Sequence, residues 1–73
     1  MNTNETGVLD EIFIETNQKI KKGEIIAKFS SGNYEMEMKA DNNSIVIEIM
    51  VEKNMTVGYN QELWRTKTTH NNG

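Results

Sequence analysis

At 73 residues the chain has room for a single domain, and it contains no cysteine, which excludes a disulfide framework, a thiolate metal site and a thiol nucleophile. Eleven acidic residues against eight basic ones leave a net charge of −3, the wrong sign for a surface that gains affinity by neutralising phosphates. The missing cysteines favour a reducing, cytoplasmic setting; the opening MNTNETG predicts no signal peptide, and no apolar run approaches the roughly 20 residues of a membrane span.

Residues 1–6 are polar and aperiodic, and are expected to form a disordered tail. From Gly7 the chain reads GVLDEIFIE, which places Val8, Ile12 and Ile14 on one face and Leu9, Glu11, Phe13 and Glu15 on the other. A period of two with β-branched enrichment predicts a strand. Glu15-Thr16-Asn17-Gln18 is a turn in which Asn17 is suited to a left-handed backbone. Ile20 then turns inward, and a second strand carries Ile25 and Ile26. Ser30-Ser31-Gly32-Asn33 has hairpin chemistry, because Gly and Asn accept positive φ. The next run, Tyr34 to Lys39, alternates strictly, with Met36 and Met38 inward and Glu35 and Glu37 toward water.

Ala40-Asp41-Asn42-Asn43-Ser44 forms a further turn, and the pattern then begins again. Ile45, Ile47, Ile49 and Val51 are predicted to share one face of a strand, followed by the turn Glu52-Lys53-Asn54-Met55. Val57 points inward and a last strand carries Leu63 and Trp64, before a second expected tail at 68–73. Burying an Ile fully is worth roughly 1.5–3 kcal/mol, so polar substitution of Ile12 or Ile49 is expected to remove much of a small domain's stability.

Residues 7–30 lie over residues 44–67 at a constant offset of 37, without a gap. Glu11 repeats as Glu48, Ile12 as Ile49, Glu15 as Glu52 and Asn17 as Asn54, and apolar character repeats at Val8, Leu9, Phe13, Ile14, Ile20 and Ile26. A fixed-period repeat predicts two equivalent units. About eight short strands without a helix then imply an all-β fold, a flattened antiparallel β sandwich or barrel with an internal two-fold axis.

These residues resemble the biotinyl/lipoyl carrier domain family. The likeness covers Gly7 to Lys67. It rests on Gly7, Leu9, Ile12, Ile14, Ile20, Gly23 and Ile26, with Asn17-Gln18 where the family pattern has Gly-Asp, and on the stretch from Ala40-Asp41 to Val46, Ile49 and Val51. The resemblance implies a hammerhead fold of two four-stranded sheets over residues 7–67. In active carriers of this family a hairpin between the halves presents a Lys that carries biotin or lipoate. Counting from Gly23 and counting back from Ala40 both put Asn33 at that position, with Ser31, Gly32 and Tyr34 around it. A carboxamide nitrogen is delocalised into its carbonyl and is not nucleophilic, so Asn33 cannot be acylated. Lys39, six residues on in a strand, is the nearest Lys on the C-terminal side and a weak fallback acceptor, and is expected to be a solvent-facing strand Lys.

Nothing else in the sequence suggests catalysis. His70 is the sole histidine and cannot alone hold a metal, while Glu35/Glu37 and Glu11/Glu15 are ordinary strand carboxylates. Lys19, Lys21 and Lys22, with Lys28 a little beyond, are expected to form a solvated loop that keeps a small protein soluble. Trp64 aligns with Ala27 and is expected in the core, whereas Tyr34, beside the tip, is the better interface candidate; Tyr59 lies near the end of the second copy.

The expected function is therefore a non-enzymatic, monomeric biotinyl/lipoyl-like domain that binds a protein partner through the hairpin from Ser30 to Glu35. No cofactor, metal, membrane or nucleic-acid partner is expected. A carrier subunit modified at Lys39 is the first alternative. A barrel binding single-stranded nucleic acid through Tyr34, Phe29 and Trp64 is the second, weakened by the acidic balance. Efflux adaptors share the fold but carry a helical hairpin and membrane anchor in longer chains.

Overall fold

The computed structural model describes residues 6–69, and among them there is no helix. Seven strands occur: β1 Gly7–Ile12, β2 Lys19–Ile20, β3 Ile25–Ser31, β4 Tyr34–Lys39, β5 Ser44–Ile49, β6 Thr56–Val57 and β7 Trp64–Thr68. They form a four-stranded sheet in the order β4-β3-β1-β6 and a three-stranded sheet in the order β2-β5-β7, antiparallel throughout. The fold is all-β, compatible with the expected flattened sandwich. Where two four-stranded sheets were expected, the second shows three strands among the described residues. A counterpart of β4 at the offset of 37 would fall at or before residue 2, or from residue 71 on, outside them.

The two halves exchange hydrogen bonds reciprocally. Asn17 N–H donates to the Val46 carbonyl at 2.7 Å, and Asn54 N–H donates to the Leu9 carbonyl at 2.7 Å. Val46 N–H reaches the Gln18 carbonyl at 2.9 Å, and Leu9 N–H reaches that of Met55 at 2.9 Å. Phe13 to Ile26 is repeated by Met50 to Leu63, and the turn bond Gln18 to Glu15 by Met55 to Glu52. Each bond maps onto its partner when the halves are swapped, which is what a two-fold axis does.

Turn chemistry follows the same rule. Asn17 and Asn54 both have positive φ, 75° and 69°, as their sequence position predicts. A second related pair is Gly23 at φ 86° and Asn60 at φ 60°, each the third residue of a turn closed by the Glu24-to-Lys21 or Gln61-to-Gly58 bond.

Strict alternation along β1 and β5 does not hold. The ladder slips between Leu9 and Glu11 and, at the equivalent place, between Val46 and Glu48. One extra residue in a strand reverses the facing of all that follow it. Leu9 and Val46 are therefore fully buried, while Ile47, predicted on the inner face, is 49% exposed. Ile12 and Ile49 are partly buried and pack against the edge of the core. The core proper is Leu9, Ile14, Ile20, Ile26, Phe29, Val46, Val57, Leu63 and Trp64, with Val51, Ala27 and Ala40.

β7 continues through Thr68, and Thr69 N–H donates to the Asn43 carbonyl at 2.9 Å, so the strand passes the boundary expected at residue 67. His70 lies outside the described residues.

Candidate functional site

The hairpin of β3 and β4 stands between the two halves of the chain. Six residues of β3 are registered against β4, from Ile25↔Lys39 to Ser31↔Tyr34 at the closed end. The closing pair leaves a two-residue loop, Gly32-Asn33. Gly32 has φ 64° and Asn33 does not have positive φ, the pattern of a type II′ turn with Gly first. Asn33 and Tyr34 are exposed, and Tyr34 retains 55% of its surface.

Two serines fasten the base of this tip to the first strand. The Ser30 hydroxyl donates to a carboxylate oxygen of Asp10, and the Ser31 hydroxyl donates to the Thr6 carbonyl at 2.8 Å. Asp10 is available because it sits where the β1–β3 register slips. This tether escaped the sequence reading. Its signal was an acidic residue inside an apolar run, with Ser-Ser approaching a hairpin turn.

Behind the tip, the outward face of the sheet carries a charge ladder. Lys28 is registered against Glu11 on one side and Glu37 on the other, and Lys53 Nζ lies 3.3 Å from Glu11. Glu35 pairs in register with Ser30. The inner side of β4 borders a cleft of about 550 Å³, lined by the partly buried Met36 and Met38 and the exposed Thr66 and Thr68, with the buried Ile20, Ile26 and Trp64 also bordering it.

The remaining predicted residues lie apart from the tip. Lys39 is exposed on β4, opposite Ile25 and at the far end of the strand. Trp64 is fully buried and Phe29 is 1% exposed, so neither ring offers a stacking surface. Tyr59 is 75% exposed in the turn after β6. Arg65 donates to Glu62 at 3.0 and 3.2 Å and lies 3.5 Å from Glu48, and its guanidinium holds the Glu62 carboxyl below the usual carboxylate range. Among the described residues no group of three or more His, Asp or Glu could hold a metal ion.

The family model described as "Biotin-requiring enzyme", which covers biotin and lipoyl attachment domains, matches residues 1–65. The chain belongs to the biotinyl/lipoyl domain family. No curated protein matches it significantly. Biotinyl/lipoyl domains are carriers that normally hold a covalent biotin or lipoate and do not themselves catalyse. The reciprocal hydrogen bonds, the helix-free sandwich and the hairpin between the halves all agree with that membership.

Proposed function

We propose that this biotinyl/lipoyl domain is a non-enzymatic, unmodified interaction module. The observation that carries the reading is the two-residue loop Gly32-Asn33 between Ser31 and Tyr34. The family's acceptor position falls there by count from Gly23 and from Ala40. An amide bond to biotin or lipoate needs an amine with a free lone pair, and the Asn33 side chain has none to offer. The residues at the tip therefore do not fit the family's cofactor.

What remains is an exposed hairpin end. Tyr34 supplies an aromatic surface of the kind that dominates binding hot spots, and Ser31, Gly32 and Asn33 supply polar and backbone groups beside it. The partner on this reading is a protein that docks where a carrier's partners would approach, and the module acts as a monomer in the cytoplasm, in keeping with its lack of cysteine. A carrier modified at Lys39 is the weaker reading, since that side chain projects from a paired strand and not from a turn.

Intact mass after co-expression with active biotin and lipoate ligases tests the proposal. The expected result is an unchanged mass for the wild-type chain. A gain of one biotinyl or lipoyl group overturns it, and peptide mapping then begins at Lys39.

A further inference from the structure

The open edge of β4, with the cleft beneath it, has the form of a docking site for an extended peptide. β4 is the last strand of its sheet, in the order β4-β3-β1-β6, so one side of its backbone has no partner strand among the described residues. The consecutive residues Met36 to Ala40 all line the 550 Å³ cleft, which a strand does only when its backbone edge faces the space. An antiparallel ladder alternates bonded and non-bonded pairs. Counted from the Ser31–Tyr34 closing pair, the N–H and C=O groups of Glu35 and Glu37 turn to the open side.

At the offset of 37 the counterpart of Thr66 is Phe29, which is buried in the core, so in the other half an aromatic ring occupies the equivalent position. In the β7 half a small hydroxyl residue stands there instead, leaving room beside Met36, Met38 and Trp64.

The geometry points to a partner protein that adds one strand to β4, antiparallel, with alternate apolar side chains entering the cleft and its outward residues basic opposite Glu35 and Glu37 and acidic opposite Lys39. Strand addition draws affinity from main-chain bonds and specificity from alternate side-chain pockets. Charge chooses the outward residues, because opposite charges directly across a sheet attract and like charges repel. The inference shares with the preceding reading only the expectation of a protein partner. It concerns the strand edge and not the tip, and it stands or falls independently of the mass measurement.

The probe is the blocked hexapeptide Glu-Val-Lys-Val-Lys-Val, set against its charge reversal Lys-Val-Glu-Val-Glu-Val, on the full chain by NMR. The expected result is shifts at Met36, Met38, Trp64 and Thr66, with slowed amide exchange at Glu35 and Glu37. The reversed peptide should bind about tenfold more weakly, as several cross-strand charge pairs change sign. Thr66→Phe should fill the cleft and abolish the shifts while leaving the chain folded, and Glu35→Gln with Glu37→Gln should remove the preference between peptides. Absence of any shift at about 1 mM peptide overturns the inference. So do shifts confined to Gly32 and Asn33, equal binding of both peptides, unchanged binding by Thr66→Phe, or concentration-dependent shifts on β4 without peptide, which would indicate a second copy.

Discussion

Asn17 and Asn54 hold the same left-handed turn in the two halves and each donates its backbone N–H across the axis, to Val46 and Leu9, at 2.7 Å in both cases. The turns therefore join the halves as well as reverse the chain. The positive φ and the cross-axis bond occur together at both turns.

A β-branched residue in the left-handed region pays a steric penalty of roughly 1–2 kcal/mol. Asn17→Val and Asn54→Val are each expected to lower unfolding stability by about that amount in urea titrations. Asn17→Gly and Asn54→Gly should be close to neutral, since Gly adopts the same φ freely. Equal losses for Gly and Val would show that the Asn side chain, and not the backbone conformation, is what matters.

Gly7 is the second position where the backbone dictates the residue. A Cβ there would meet the Ser30 carbonyl oxygen and lie 2.6 Å from Phe29 Cζ, both on the neighbouring strand β3. The first is a backbone atom, and the second is the tip of a ring held in the core at 1% exposure. Gly7→Ala is expected to cost about 1–3 kcal/mol, the range for overpacking a filled interior. Its counterpart Ser44 shows that the second half lacks this contact, being a buried Ser at 5% exposure. Ser44→Gly should accordingly cost less than Gly7→Ala in the same denaturation assay.

Much of this fold was legible because the repeat fixed the turns before any strand was assigned. Asn17 and Asn54 stand at matching places, and both adopt the conformation that match implied. Trp64 was legible as core for its size, and it is fully buried. What alternation could not reveal were the slips at Leu9/Glu11 and Val46/Glu48. A bulge changes which residues face inward without changing which residues are apolar, so Ile47 looked like core and is half exposed. The repeat itself held the clue: Ile47 aligns with Asp10, and an acidic residue is a poor core equivalent. The tether from Asp10 to Ser30 was hidden for the same reason, since it depends on the bulge.

The bulges yield a contrast that mutation can measure. Leu9 is wholly buried beside one slip, and Ile47 lies outward at the other. Leu9→Ala is expected to destabilise by about 2–5 kcal/mol, through lost transfer energy and a residual cavity. Ile47→Thr should change stability by no more than about 0.5 kcal/mol, as an exposed substitution on a strand that suits Thr. A large loss for Ile47→Thr would restore the unbroken alternation and remove the bulge.

The hairpin tip gives the most discriminating experiment on function. Asn33→Lys alone supplies an amine, yet Gly32 and Tyr34 differ from the Met-Lys-Met tip of the biotin-type carriers that the chain resembles. The variant carrying Gly32→Met, Asn33→Lys and Tyr34→Met should therefore accept biotin from an active ligase where the wild type does not. Gly32 stands at φ 64°, so a Met there carries a left-handed cost of roughly 1–2 kcal/mol, and a lowered melting temperature is expected alongside. The serine tether to Asp10 and Thr6 is untouched by these changes and should keep the hairpin in register. Intact mass and far-UV circular dichroism read the two effects separately. A folded triple variant that stays unmodified would mean that the tip differs from a carrier's in shape as well as in chemistry. Modification of the wild type would instead show that another lysine serves, with Lys39 the first to replace.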